Sequence, residues 1–247
     1  MSLTFNDTST LRGLVQMYER EIGASRGTVS GNTNLLKEFT ADANLAIDEY
    51  IALAIQSDGT WKIDDTNHTD YPEILTNIVS GQRDYTFLTD ENGNAILDIY
   101  KVYTKSSSTS AYSLLEPYDV DTEDSASTFS DGTNTTGIPT KYDKLGNAIR
   151  FDVLPNATIT NGLKVSINRE GSYFTYTDTT KKPGFPGVHH SYFYLRPALD
   201  YARRNTLSSY PRIEPEYMRL TENIKEYFNA RMKDEPSRLT VFKQDNR

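Results

Sequence analysis

Cysteine is absent from all 247 residues. Its absence removes disulfide staples, thiolate metal sites and cysteine nucleophiles together, and fits maturation in a reducing cytoplasm. Long apolar runs are missing too: the longest, residues 50–55, falls far short of the roughly 20 residues that a membrane-spanning helix needs. The opening MSLTFNDTSTLRG has no basic segment ahead of an apolar core, so neither a leader nor membrane insertion is expected. The sequons at Asn67, Asn134 and Asn156 carry no meaning without secretion. Histidine is scarce, with only His68 in a polar stretch and the neighbours His189 and His190. Adjacent residues on a helix point about 100° apart, so that pair does not readily share a metal or act as base and orienter. No GxSxG, P-loop, HExxH or dinucleotide fingerprint occurs.

Positive charge is also in short supply, with 26 Lys and Arg against 34 Asp and Glu and a net charge of -8. Residues 181–247 hold 13 of the bases against 8 acids, an excess of five positive charges. The first 180 residues hold the other 13 against 26, an excess of thirteen negative ones. Such a chain is not built to neutralise phosphates, but copies with one acidic and one basic end can attract each other or a partner head to tail. Asp90-Glu91-Asn92-Gly93-Asn94 has the flavour of a calcium loop, yet its glycine is displaced and Lys101 stands where a bidentate glutamate is needed, so a turn is the reading. Acid pairs such as Asp64-Asp65 and Asp121-Glu123-Asp124 lie in solvated stretches and read as surface rather than as a hydrolytic pair. No catalytic residue, cofactor or metal ligand is expected. Seventeen tyrosines allow an alternative class, a binding module that recognises glycans by stacking or an interface protein, because Tyr offers a large flat surface with a polar tip.

What the chain does contain is periodicity. Thr8, Ser9 and Thr10 are candidate caps for a first helix with Leu11, Leu14, Val15, Tyr18 and Ile22 on one side and Gly23 at its end. A longer helix is predicted over 35–56, with Leu36, Phe39, Ala43, Ala46, Ile47, Tyr50 and Ala54 on one stripe. The period then shortens. Trp61 and Ile63 alternate, a turn at 80–84 opens a strand, and 95–103 has the β-branched and aromatic content of a central strand. Residues 111–115 read as another short strand, and 119–136, almost wholly small and polar, as a surface excursion that folding does not need. Over 137–171 the alternation of Ile149, Phe151 and Val153, and again of Leu163, Val165 and Ile167, predicts a three-strand meander turning at Gly146-Asn147. Residues 173–176 read as one more aromatic strand. Helices return over 189–209, where Pro197 predicts a kink or a fresh start, and over 215–233.

The order helices, strands, helices indicates an α+β fold: a helical bundle formed by N- and C-terminal helices with an inserted antiparallel β domain, a small barrel or sandwich. The expected boundaries are 1–60 and 183–234 for the helical part, 61–182 for the β part and 235–247 for a tail. In that tail Arg238, Leu239, Thr240, Val241, Phe242 and Lys243 form a stretch of β propensity with no neighbouring strand in sequence, suited to edge addition on another subunit.

Three stretches together resemble the head-to-tail adaptor, or connector, proteins of tailed bacteriophages, the tail-accessory and tail-tubular group. They are Ser80-Gly81-Gln82-Arg83-Asp84-Tyr85; Gly137-Ile138-Pro139-Thr140-Lys141-Tyr142 with Gly146-Asn147 and Ile149-Arg150-Phe151-Asp152-Val153-Leu154-Pro155; and the return from Phe185-Pro186 to Arg204. The resemblance implies a structural virion protein at the head-tail junction, assembled in the host cytoplasm as a ring commonly of twelve subunits. Its implied partners are the portal protein, the next neck or tail protein and other copies of itself, with double-stranded DNA passing through the lumen unbound. The portal contact is expected in the 238–243 tail. The long excursion at 119–136 and the loop at 156–161 depart from the family pattern.

Overall fold

The computed structural model describes residues 2–58, 73–90, 93–118 and 135–231. Its helices are α1 (Leu14–Ile22), α2 (Thr33–Asp58), α3 (Tyr192–Arg204) and α4 (Tyr210–Arg231), with a 3-10 turn at Gly187–His189. Between them run β1 (Glu73–Ile78), β2 (Asp84–Thr86), β3 (Ile96–Thr104), β4 (Ser113–Leu114), β5 (Glu116–Pro117) and β6 (Thr136–Gly137). They are followed by β7 (Lys141–Leu145), β8 (Ala148–Phe151), β9 (Leu154–Pro155) and β10 (Ile159–Arg169). The protein is a mixed α+β fold with several mainly antiparallel sheets. Among the described residues none closes into a barrel.

The first helix starts later than its sequence suggests. The amides of Ser9 and Thr10 both donate to Asp7 Oδ1, at 3.0 and 2.9 Å, so these residues close a turn of their own, and Leu11 sits at a φ of +58° that no right-handed helix allows. Helix α1 then ends as predicted at Gly23, whose φ of +76° places it in the left-handed region. Asn32 caps α2 by accepting the amides of Asn34 and Leu35 at 3.0 and 3.3 Å, which moves its start ahead of Leu35. Pro197 neither restarts nor ends α3, and α4 begins at Tyr210 with Pro215 inside it.

Apolar residues from α1, α2, α3 and α4 gather in one buried cluster together with Leu3, Phe5, Phe174 and Phe185. Tyr50 is its hub, with the rings of Phe185, Phe193, Tyr192 and Phe228 at 4.5, 5.4, 5.8 and 5.8 Å. Aromatic pairs of this kind contribute roughly 0.5–1.5 kcal/mol each beyond the area they bury. The strands build a second cluster, to which both four-stranded sheets contribute: Ile78, Ile99, Val102, Leu163, Val165 and Ile167 from one, Tyr85, Tyr142, Ile149 and Phe151 from the other.

The sheet orders are β1-β10-β3-β4 and β2-β8-β7-β5, with β6 and β9 forming a separate parallel pair. The predicted hairpin at Gly146-Asn147 joins β7 to β8 with Leu145 opposite Ala148, and Gly146 takes a φ of +60°. The third strand of the expected meander goes elsewhere. After Phe151 the Asp152 carboxylate accepts the amide and hydroxyl of Thr140 at 3.1 and 2.8 Å, and β9 pairs with β6. Strand β10 therefore arrives in the other sheet, where Val165 lies between Ile74 and Val102. Alternation placed Ile149, Phe151, Leu163, Val165 and Ile167 in the core, but Val153 is only half-buried, Asp152, Ser166 and Asn168 on the expected solvent face are buried, and the neighbour was left open.

No strand forms at 173–176 either. The Asn44 side chain accepts the amide of Phe174 at 2.8 Å and donates to its carbonyl at 3.0 Å. One helical side chain thus replaces a strand partner, and Phe174 stacks on Phe5 at 4.6 Å. The amino-terminal arm is held in the same region, since the amide of Phe5 donates to Lys181 O at 2.7 Å.

Candidate interaction groove

The histidine pair is structural. His190 Nδ1 accepts the amide of Leu3 at 2.9 Å while Nε2 lies 2.8 Å from Phe185 O, so the Nε2 nitrogen carries the proton. His189 Nδ1 meets the Tyr50 hydroxyl at 2.7 Å. Burial pushes both imidazoles below their usual range; the neighbouring His190 adds to the effect at His189, while the bond to Phe185 O partly opposes it at His190. Among the described residues no group of three His, Asp or Glu could hold a metal ion. His68, the pairs Asp64-Asp65 and Asp121-Glu123-Asp124, and Arg238, Leu239, Thr240, Val241, Phe242 and Lys243 lie outside the described residues.

The remaining polar concentration lies between α2, α3 and α4. There Arg196 grips Glu49 at 2.6 and 2.8 Å and also meets Asp200. Bonding to Glu49 raises the guanidinium further above its usual value, although burial opposes it. Its donors are engaged within the protein, and the shallow groove beside it, about 430 Å³, leaves that network little to offer a ligand.

A larger groove of about 580 Å³ follows from how β1 and β2 part. The two strands are consecutive and separated by only residues 79–83, the layout of a hairpin, with Gly81 at a φ of +77° in the bend. Yet they do not pair: β1 joins β10 in one sheet and β2 joins β8 in the other. The arms are splayed. Both β1 and β2 are the outermost strands of their sheets, and among the described residues no strand covers either outer edge.

Five consecutive residues, Glu73, Ile74, Leu75, Thr76 and Asn77, line the groove on one side. Because successive strand residues point to opposite faces, a surface that touches all five runs along the edge of the strand, where its backbone donors and acceptors are presented. Tyr85, Thr86, Phe87, Thr89 and Asp90 line the other side. At the bend the amide of Val79 donates to the Tyr85 hydroxyl at 2.9 Å. At the far end Arg169 Nη1 meets Asp90 Oδ2 at 2.9 Å, with both side chains almost wholly buried. Burial alone would raise the Asp90 carboxyl, but bonds from Asn94 and Arg169 outweigh it and hold it below the usual range. Asp90 thus anchors the turn predicted there, accepting the Asn94 amide at 2.8 Å. Among the described residues the lining carries two acids, Glu73 and Asp90, and no lysine or arginine.

Sequence reasoning identified the turn and strand at 80–87 but not the groove. Its only sequence trace is a hairpin-like spacing whose arms end in different sheets. A scan of the chain against family models gives no match, and a search of curated proteins returns none either.

Proposed function

We propose that this chain is a structural adaptor subunit of a tailed bacteriophage, forming a ring at the head-tail junction that docks on the portal and leads the DNA towards the tail. In this reading the helices from the two ends of the chain form a bundle, and the strands between them form an inserted β domain that packs as a sandwich. The observation that supports it most is that α1 and α2 share one buried cluster with α3 and α4, while the intervening strands gather into another. That division matches the one the resemblance implies for a ring wall. The acidic balance of the chain supports a lumen that lets phosphates slide past without gripping them. The alternative, a phage tail or capsid binding module recognising host glycans, is less favoured, since Tyr18, Tyr50, Tyr85, Tyr142 and Tyr192 are buried within the two clusters.

The test is to mix the purified chain with the portal protein encoded in the same phage genome and image the product by electron microscopy. A ring of this protein stacked coaxially on the portal is expected. Portal particles that stay bare at saturating concentrations of the chain would overturn the proposal.

A further inference from the structure

We infer that the groove between β1 and β2 takes residues 238–243 of a second copy of this chain as an added strand, so that copies link tail into groove. The acceptor is the pair of open sheet edges. An incoming extended segment finds along one side the edge of β1 and along the other the edge of β2, neither paired with a further strand among the described residues, and each hydrogen bond to an edge adds affinity independent of sequence. Length agrees as well: β1 offers six residues, about 20 Å of strand, and the segment also has six.

Side chains supply the specificity. The segment carries two bases, Arg238 and Lys243, and no acid, whereas among the described residues the groove lining holds no base and offers Glu73 at its rim, Asp90 being already engaged by Arg169. Glu73 remains 40% exposed at the rim beside Lys164, where an added cation can reach it. Leu239 and Val241 point one way along an extended chain and Thr240 and Phe242 the other, which offers apolar contacts to both sides of a groove whose walls include Ile74 and Phe87. Seven residue steps separate Arg231, the last described residue of α4, from Arg238, a link that spans at most roughly 24 Å when extended, so the acceptor groove must lie on an adjoining copy.

The recipient in this proposal is a neighbouring copy, where the sequence reading expects the portal. The inference rests on the proposed ring only for the presence of neighbours, and the two fail separately, because tail exchange is read in the absence of portal. The experiment is sedimentation velocity of the full-length chain from low micromolar to several hundred micromolar, together with two single variants. Val241→Asp spoils the tail and leaves the groove intact. Val79→Lys places a cation at a groove position that is 40% exposed and leaves the tail intact; thermal melts that match the parent check that both variants fold.

The parent should associate weakly as concentration rises, and each variant alone should show a dimer dissociation constant raised by about tenfold or more. An equimolar mixture of the two retains one intact tail and one intact groove, and should regain heterodimers at near-parental affinity. A parent that stays monomeric throughout, variants that associate like the parent, or a mixture that fails to recover would each overturn the proposal. The last result also covers a tail seated in its own groove, since that arrangement cannot complement between molecules.

Discussion

Glu19 offers the most direct test of how the amino-terminal helices are held. Its carboxylate is buried on α1 and accepts four hydrogen bonds from the loop ahead of α2. The amides of Gly27, Val29 and Ser30 reach it at 3.1, 2.8 and 2.9 Å, and the Ser30 hydroxyl at 3.2 Å. Truncation in Glu19→Ala removes the acceptor these donors share. Hydrogen bonds to a charged acceptor contribute roughly 1.5–3 kcal/mol each, and a buried donor left without a partner costs about 1–3 kcal/mol. Gly27 and Ser30 lie near enough to solvent to recruit water, whereas Val29 is buried. Removing the carboxylate also relieves its own desolvation. The net cost should therefore be about 3–4 kcal/mol, close to two full bonds.

Glu19→Gln separates charge from geometry. The amide oxygen can still accept from Val29 and Ser30, while the amide nitrogen faces the Gly27 N–H and repels it, so the loss should be about 1–2 kcal/mol. Urea unfolding followed by far-UV circular dichroism reads both values, and at roughly 2–4 °C per kcal/mol for a chain of this size the Tm of the alanine variant should fall by about 10 °C. If Glu19→Ala costs less than about 1 kcal/mol, or Glu19→Gln costs as much as Ala, the loop is not held through this carboxylate.

Three further outcomes are expected. The folded values of His189 and His190 lie below the unfolded value of 6.5, so over that interval the unfolded chain binds more protons: their contribution to stability is full above about pH 6.5 and falls as pH drops below it, and unfolding free energies that stay flat from pH 7.5 to 5 would refute this. A methyl group at Gly171 would lie 2.5 Å from Ile47 Cγ2 and 3.2 Å from Ile51 Cδ1, so Gly171→Ala should cost roughly 1–3 kcal/mol by overpacking, and a melting temperature equal to the parent's would show that the junction yields. Asn44→Ala loses both bonds to Phe174 and should cost about 2 kcal/mol, and Asn44→Asp, which sets a carboxylate oxygen against Phe174 O in place of the donor that reaches it at 3.0 Å, should also be less stable than the parent in the same melts; either variant melting with the parent would be inconsistent with the pairing described.

Much of the helical part was legible because its signals are local. The stripe from Leu36 to Ala54 is set by a 3.6-residue period, and Gly23 ends α1 by a backbone conformation that glycine adopts without penalty. The start of α1 was misplaced because Thr8, Ser9 and Thr10 have two local uses, and Asp7 supplied the competing one. Strands were legible as strands but not in their partnerships: β10 has the alternation of a meander strand, yet it joins β1 and β3 because Asp152 and β9 turn the chain away first. Residues 173–176 failed as a strand for a reason no local pattern contains, an asparagine 130 residues away in sequence. The groove was invisible for the same reason, since whether an edge is open depends on where every other strand has gone.

The closing of the helical cluster by its two ends has a consequence for synthesis. Leu3 is bonded to His190, 187 positions later, and Tyr50 packs on Phe228, so these contacts can form only after residues 190 and 228 have been made. At the tens of residues per second or less at which ribosomes work, α1 and α2 wait many seconds with their apolar stripe uncovered while the strands emerge and pair among themselves. The nascent chain is therefore a predicted client of holding chaperones during that interval. Its vulnerable stretch is 36–54, and a protease added to stalled ribosomes should cut there until residue 228 has left the exit tunnel.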